Sequence, residues 1–220
     1  MKSTVVLILL CMAFIGMHRL LADVQQWVPD ALIVRANNEY GAEAAARVLA
    51  WQQVLQEARG LSEMEQLQVV NQFFNDQIPF RSDISHWQQD DYWATPFESL
   101  VTHGGDCEDY VIAKYYSLLA LGVDVNKLRI TYVKAVRLNE AHMVLTYFPT
   151  PDAIPLVLDN LIDPIASASQ RPDLVPVYSF NAQGMWLERM KGEGIRMGNP
   201  NNLDLWTDLR LRMHADGMNL

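Results

Sequence analysis

With only two cysteines in 220 residues, Cys11 and Cys107, a disulfide-stapled scaffold is excluded. Positive charge is scarce as well: 17 Lys and Arg stand against 26 Asp and Glu, a net charge of −9, and no basic cluster interrupts the acidic excess. A phosphate-tracking surface is therefore not expected, and nucleic acid is not among the expected partners. The chain also lacks internal repeats, low-complexity tracts and any linker at which to divide it. Its longest apolar run, Val5 to Phe14, is too short for a comfortable membrane span of ~20 residues. What is present is ordinary globular composition, 50% hydrophobic and 20% charged.

Lys2 precedes that apolar run and Ala22 is a small residue suited to cleavage, so residues 1–22 read as a secretory signal. Leu20, the third residue before the cut, leaves an uncleaved anchor as the alternative, and bulky Leu10 argues against lipidation of Cys11. Removing the segment takes away Lys2 and Arg19, which leaves 15 basic and 26 acidic residues, a balance of −11. It also leaves Cys107 as the single thiol. Residues 23–220 are expected to form one domain held by core burial, for which ~200 residues suffice. A lone thiol in an oxidising compartment must be buried or useful.

From Gly41 to Arg59, Val48, Leu49, Trp51, Val54 and Leu55 form one helical stripe ended by Gly60. Ser62 then stands three residues before Glu65 as a capping box, and Met64, Leu67, Val70, Phe73 and Phe74 continue at helical spacing to Pro79, predicting an αα-hairpin. Phe80 to His103 is irregular and carries Trp87, Trp93 and several Asp and Gln; it reads as a long connecting loop. Asp106 to Leu121 reads as a helix closed by Gly122. Leu128–Leu138, His142–Phe148 and Ile154–Leu158 read as three sequential antiparallel strands, and Val177–Phe180 with Met185–Leu187 as a further hairpin. Gly192 to Asn202 is turn-rich, and Leu203–Met213 has the spacing of a terminal helix. The fold class expected is α+β, with helices packed on an antiparallel sheet.

The segment His103-Gly-Gly-Asp-Cys-Glu-Asp-Tyr110 carries the strongest chemical signal. Two glycines permit a tight turn, Asp106 can cap the following helix, and Cys107 falls in the first turn, where free amides and the helix dipole favour a thiolate. A buried cysteine that merely begins a helix is the competing reading. The strands add a geometric expectation. If the hairpin after His142 turns between Thr150 and Pro151, His142 lies directly opposite Asp159, so that a carboxylate can hold one imidazole nitrogen while the other serves a thiol. A slip of one residue would separate them. Cysteine at a helix start, followed by histidine and aspartate on adjacent strands, is the order of nucleophile, base and orienting acid in papain-like and transglutaminase-like folds. The Cys107 amide is a natural oxyanion donor.

The sequence resembles the bacterial transglutaminase-like cysteine proteinase family, and within it the LapG-type periplasmic adhesin proteases. The likeness rests on Trp93-x-x-Pro96-x-Glu98, Gly104-Gly-Asp-Cys-Glu-Asp-Tyr110, Ile112-Ala-Lys-Tyr115, Ala141-His-Met-Val-Leu145 and Leu156-Val-Leu-Asp-Asn160. It implies Cys107 as nucleophile, His142 as base and then acid, and Asp159 as the residue that orients it. It also implies calcium close to the nucleophile, held by the flanking acids Asp106 and Glu108. On the residues alone, Asp106 as helix cap and Asp109 as its reciprocal partner would account for two of these acids without metal.

The resemblance further implies a periplasmic endopeptidase that cuts the N-terminal region of a large LapA-type adhesin at a di-alanine site, so dispersing biofilm. Its implied regulator is the periplasmic domain of a LapD-type inner-membrane cyclic-di-GMP receptor. The alternatives are a papain-like cell-wall peptidase, a true transglutaminase, and a calcium-responsive binding protein without turnover.

Overall fold

The computed structural model describes residues 27–187 and 194–218; the signal reading of residues 1–22 lies outside them. Among the described residues no helix is long and apolar enough to cross a membrane.

Helix α1 spans Asp30–Tyr40, α2 Ala42–Ala58 and α3 Glu63–Gln77. The expected capping box starts α3: Ser62 Oγ accepts from the Glu65 amide, and Glu65 accepts the Ser62 N–H at 2.9 Å. Trp51 on α2 donates from its indole to Ser117 Oγ at 2.8 Å, tying this helical layer to the central helix. The stretch Phe80–His103, expected as a loop, instead contains two short helices, α4 over Asp83–His86 and α5 over Pro96–Thr102. Thr95 and Glu98 cap α5 reciprocally and Pro96 opens it, so local chemistry builds a helix too short to show periodicity. Helix α6, Cys107–Ala120, is buried along nearly its whole length, and α7 covers Asp204–Ala215.

Among the described residues seven strands follow α6: β1 Leu128–Ala135, β2 Glu140–Tyr147, β3 Leu156–Leu158, β4 Ala166–Ser167, β5 Leu174–Asn181, β6 Gly184–Leu187 and β7 Ile195–Gly198. They form one antiparallel sheet ordered β4-β3-β2-β1-β5-β6-β7. The α+β expectation is met. β7 falls in the segment expected to be only turns.

The pleat divides the sheet. Met143, Leu145 and Tyr147 of β2 join the main core shared with the helices, whereas Val133, Val144 and Val157 make a small cluster of their own. Trp93, which follows α4, stacks on Phe180 of β5 with ring centroids 5.7 Å apart and is 7% exposed, so it belongs to the core. α6 packs against β2 and β1, bringing its N-terminus to the region where β2 begins.

Candidate active site

Three constraints place Cys107. His103 ends α5 in the left-handed region at φ 54°. The chain then runs beside Phe80 as an isolated parallel bridge, with the Gly105 amide donating to Pro79 and the Arg81 amide donating to Gly105. Here the backbone passes over the side chain of Asp109, and a Cβ on Gly105 would lie 2.7 Å from its Oδ2. Asp109 is fully buried and both its oxygens are used: Oδ1 accepts the Ala94 N–H at 2.7 Å and Oδ2 the Asp106 N–H at 3.2 Å. It is the reciprocal partner at the helix start, and burial with Asp106 nearby pushes its carboxyl well up.

Cys107 then opens α6, where its thiol donates to Glu108 Oε2 at 3.0 Å. The expectation that the helix start favours a thiolate is corrected here. Burial pushes the thiol up, and the charges of Glu108 and Asp106 push it further, while the Met143 backbone amide alone opposes them. A helix terminus on the order of 0.3–1 kcal/mol does not offset two adjacent carboxylates. That amide also fixes the location of the sulfur, beside β2 at the residue that follows His142.

His142 is buried on β2, and its Nε2 lies 2.8 Å from Asp159 Oδ1. With the carboxylate ionised, Nε2 carries the proton and Nδ1 the lone pair. The pairing arises differently from the expected one. β2 and β3 pair Leu145 with Leu158 and Tyr147 with Leu156, so the turn centres one residue later than expected and Asp159 lies just past the end of β3. Direct opposition to His142 is thus lost, but the shift moves each partner by two positions and preserves the face. The two side chains meet as diagonal neighbours.

Asp159 receives more than the imidazole. Its Oδ1 also accepts the Leu161 N–H at 3.1 Å, and its Oδ2 accepts Arg171 Nη2 at 2.7 Å. Burial acts to raise the carboxyl, but these donors outweigh it and bring Asp159 down to about 2. Arg171, itself 5% exposed, is held by Asp173 through Nε and Nη2. No periodicity or motif marks Arg171 in the sequence.

An acid cluster surrounds the nucleophile. Carboxylate oxygens of Asp83, Asp106 and Asp109 come within 4.8 Å of one another, as do those of Asp83, Asp91 and Glu108, and ligand atoms of Asp106, Cys107 and Glu108. Asp106 Oδ2 accepts the Asp83 N–H at 3.3 Å and Asp83 Oδ2 accepts the Tyr92 N–H, yet Oδ1 of each is buried without a partner. Burial, reinforced by Asp106, brings Asp83 up to about 6; burial with neighbouring Glu108 raises Asp106, and burial raises Glu108. Buried oxygens with no donor and mutually repelling carboxyls are chemically suited to a hard divalent cation such as calcium. Asp106 and Glu108, expected from the sequence, both belong to this acid cluster. Asp83 and Asp91 were not expected, because their link to Cys107 is made by the fold of α4 rather than by spacing.

The sequence model of the family described as bacterial transglutaminase-like cysteine proteinase BTLCP matches residues 38–189. No curated protein sequence matches the chain. Among solved structures, LapG of Legionella pneumophila is 42% identical over 84% of this chain and 96% of its own, with a TM-score of 0.73. Its EGTA-treated form matches at 40% identity over the same shares with a TM-score of 0.74, and its calcium-bound form at 43% over 82% and 97% with a TM-score of 0.71.

Proposed function

The chain belongs to the bacterial transglutaminase-like cysteine proteinase family and is a protease of the LapG type, and from that premise we propose that Cys107, His142 and Asp159 are its catalytic triad. The observation that supports the assignment is the buried hydrogen bond of 2.8 Å between Asp159 and His142, the latter on β2, the strand against which the Cys107 helix packs.

In this assignment each of the three residues has its own part in acyl transfer. His142 Nδ1 takes the proton of the Cys107 thiol as the sulfur attacks the scissile carbonyl carbon. The oxyanion that forms is met by the Cys107 amide at the start of α6. Collapse breaks the C–N bond, and the imidazolium returns its proton to the leaving amine, giving a thioester. Water, deprotonated by His142, then attacks the thioester, and the acid product leaves as the thiol is restored. Asp159 holds the tautomer and stabilises the imidazolium throughout. In the resting arrangement the thiol donates its hydrogen bond to Glu108 Oε2, and that bond gives way as His142 takes the proton. A calcium ion, when bound by Asp106 and Glu108 with Asp83 and Asp91, supplies positive charge that neutralises the acids around the sulfur.

The substrate proposed is the N-terminal region of a large surface adhesin, cut at a di-alanine site in the periplasm so that the adhesin is released and biofilm disperses. The proposed regulator is the periplasmic domain of a cyclic-di-GMP receptor of the LapD type, which sequesters the protease. The test is cleavage of an adhesin N-terminal fragment by wild type and Cys107→Ala, each with calcium and with EGTA. We expect a shorter fragment only from wild type with calcium. Cleavage by Cys107→Ala would sink the nucleophile assignment, and undiminished cleavage in EGTA would sink the metal requirement. Release of muropeptides from peptidoglycan, or an amine–glutamine crosslink, would replace the adhesin reading.

A further inference from the structure

We propose that Arg171 is a positioning residue of this protease, clamping the Asp159 carboxylate in the orientation that His142 requires; the proposal rests on the triad assignment above and extends it by a member that the sequence does not mark. Asp159 has two oxygens and both are committed. Oδ1 serves His142 Nε2 at 2.8 Å and the Leu161 amide at 3.1 Å, while Oδ2 is taken by Arg171 Nη2 at 2.7 Å. With a donor on each oxygen the carboxylate cannot rotate about its terminal torsion without breaking a buried charge-assisted bond.

Arg171 is fixed in turn. Its Nε lies 3.1 Å and its Nη2 2.9 Å from the Asp173 carboxylate, and its own amide donates to Ala168. The short segment between β4 and β5 thus delivers a rigid guanidinium to the end of β3. Only an arginine does this from here, because one planar fork must reach two carboxylates at once.

Stability alone does not account for the arrangement. Arg171 Nη1 is buried with no partner, which costs free energy. A buried ion pair of this kind is often no more stabilising than apolar side chains of the same volume. The placement gains its purpose from the imidazole. The other charged groups around Asp159 are Lys114 on α6, whose Nζ lies 3.2 Å from the Asp159 carbonyl oxygen, and Asp163 farther along the same loop, which Asn75 of α3 ties to that carbonyl. Lys114 and Asn75 hold the backbone, and Arg171 holds the carboxylate.

The experiment compares the intact wild type with Arg171→Met, Arg171→Lys and Asp173→Asn, using Cys107→Ala as the inactive control. Two readouts are taken on folded protein. The first is nitrogen NMR of the His142 ring from pH 4 to 8, which reports the tautomer with no substrate present. In the wild type the neutral form of the ring should carry its proton on Nε2, and in Arg171→Met the neutral form should be a mixture of tautomers. The second is cleavage of the adhesin fragment. We expect kcat to fall about tenfold to a hundredfold in Arg171→Met with KM within about twofold of wild type, the acidic limb of kcat moving to higher pH. Arg171→Lys, which keeps the charge without the fork, should recover part of both readouts, and Asp173→Asn should give a smaller loss in the same direction.

A folded Arg171→Met with the wild-type tautomer and kcat would overturn the proposal. If Arg171→Met does not fold, wild-type tautomer and kcat in both Arg171→Lys and Asp173→Asn would overturn it equally. A wild type that does not cleave the adhesin fragment while the tautomer shift is still seen would leave Arg171 in this role and remove the adhesin substrate instead.

Discussion

Asp159 is the side chain on which the site's order depends, and its protonation gives that dependence a pH signature. Its carboxyl lies at about 2 against an ordinary 3.8. A folded-state value below the unfolded one means stabilisation that is fully present above pH 3.8 and lost as pH falls through about 2. At 1.36 kcal/mol per unit, the carboxylate contributes about 2 kcal/mol at neutral pH. Asp159→Asn removes the anion and leaves the Arg171 guanidinium buried and half paired, so it should destabilise by about 3 kcal/mol at pH 7. Urea unfolding of wild type and variant at pH 7 and pH 3 checks this: the gap should narrow at the lower pH, and an equal gap at both would refute the role given to the charge. At this scale the sequence was informative about residue type and weak about contact. Cys107 could be singled out by its place at a helix start, and His142 with Asp159 by the alternation that keeps that pair on one face. The diagonal meeting of His142 with Asp159 depends on where the turn after Phe148 centres, which composition does not determine. Arg171 was invisible because nothing local distinguishes a buried arginine from an exposed one.

At the scale of elements, the turn that delivers α6 is built so that only glycine fits its second position. A Cβ at Gly105 would meet Asp109 Oδ2 at 2.7 Å and Cβ at 2.8 Å, and that side chain is buried and held by two backbone donors. At Gly104 the nearest atom is the Cδ of exposed Arg81, the far part of a flexible side chain, and the His86 ring, at 3.0 Å, would have to give by a few tenths of an ångström. Gly105→Ala should therefore cost about 1–3 kcal/mol and displace Cys107, with loss of cleavage, while Gly104→Ala should cost less and keep activity. Denaturant midpoints and cleavage rates of the two variants decide the matter, and equal behaviour would contradict the packing argument. Elements were legible where a cap or a stripe announced them: Ser62 with Glu65 started α3, and alternation gave β1 and β2. Helix α1 buries only Leu32 and Ala36, too thin a stripe to read. Helix α5 is seven residues long, so its Thr95–Glu98 box and Pro96 were the whole of its signal, and β7 is exposed at all four positions and shows no alternation.

On the scale of the whole molecule, the α+β class was legible because helical and strand periodicities segregate along the chain, whereas the acid cluster draws on three separate places: α4, the loop after it and the start of α6. Those places meet only in the fold, and their meeting sets how the protein as a whole responds to protons and calcium. Asp83 lies at about 6 against an ordinary 3.8, chiefly through burial, and Asp106, Glu108 and Asp109 are raised in the same direction. Carboxyls with folded-state values above their unfolded ones bind protons more tightly in the folded chain, so stability falls as pH rises from about 4 through about 8, the value to which Asp106 is raised. Asp159 acts in the opposite sense but below that window. In EGTA the protein should thus melt at higher temperature at pH 5 than at pH 7. Calcium at a hundredfold over its dissociation constant should add about 2.7 kcal/mol at pH 7, a rise of roughly 5–10 °C for a chain of this size. At pH 5 the increment should shrink, because protons and calcium compete for the same oxygens. Thermal melts at both pH values with EGTA and with calcium measure all four states. Identical midpoints with and without calcium at pH 7 would mean that Asp83, Asp91, Asp106 and Glu108 bind no cation, leaving the unpartnered Oδ1 atoms of Asp83 and Asp106 as a pure cost of the fold.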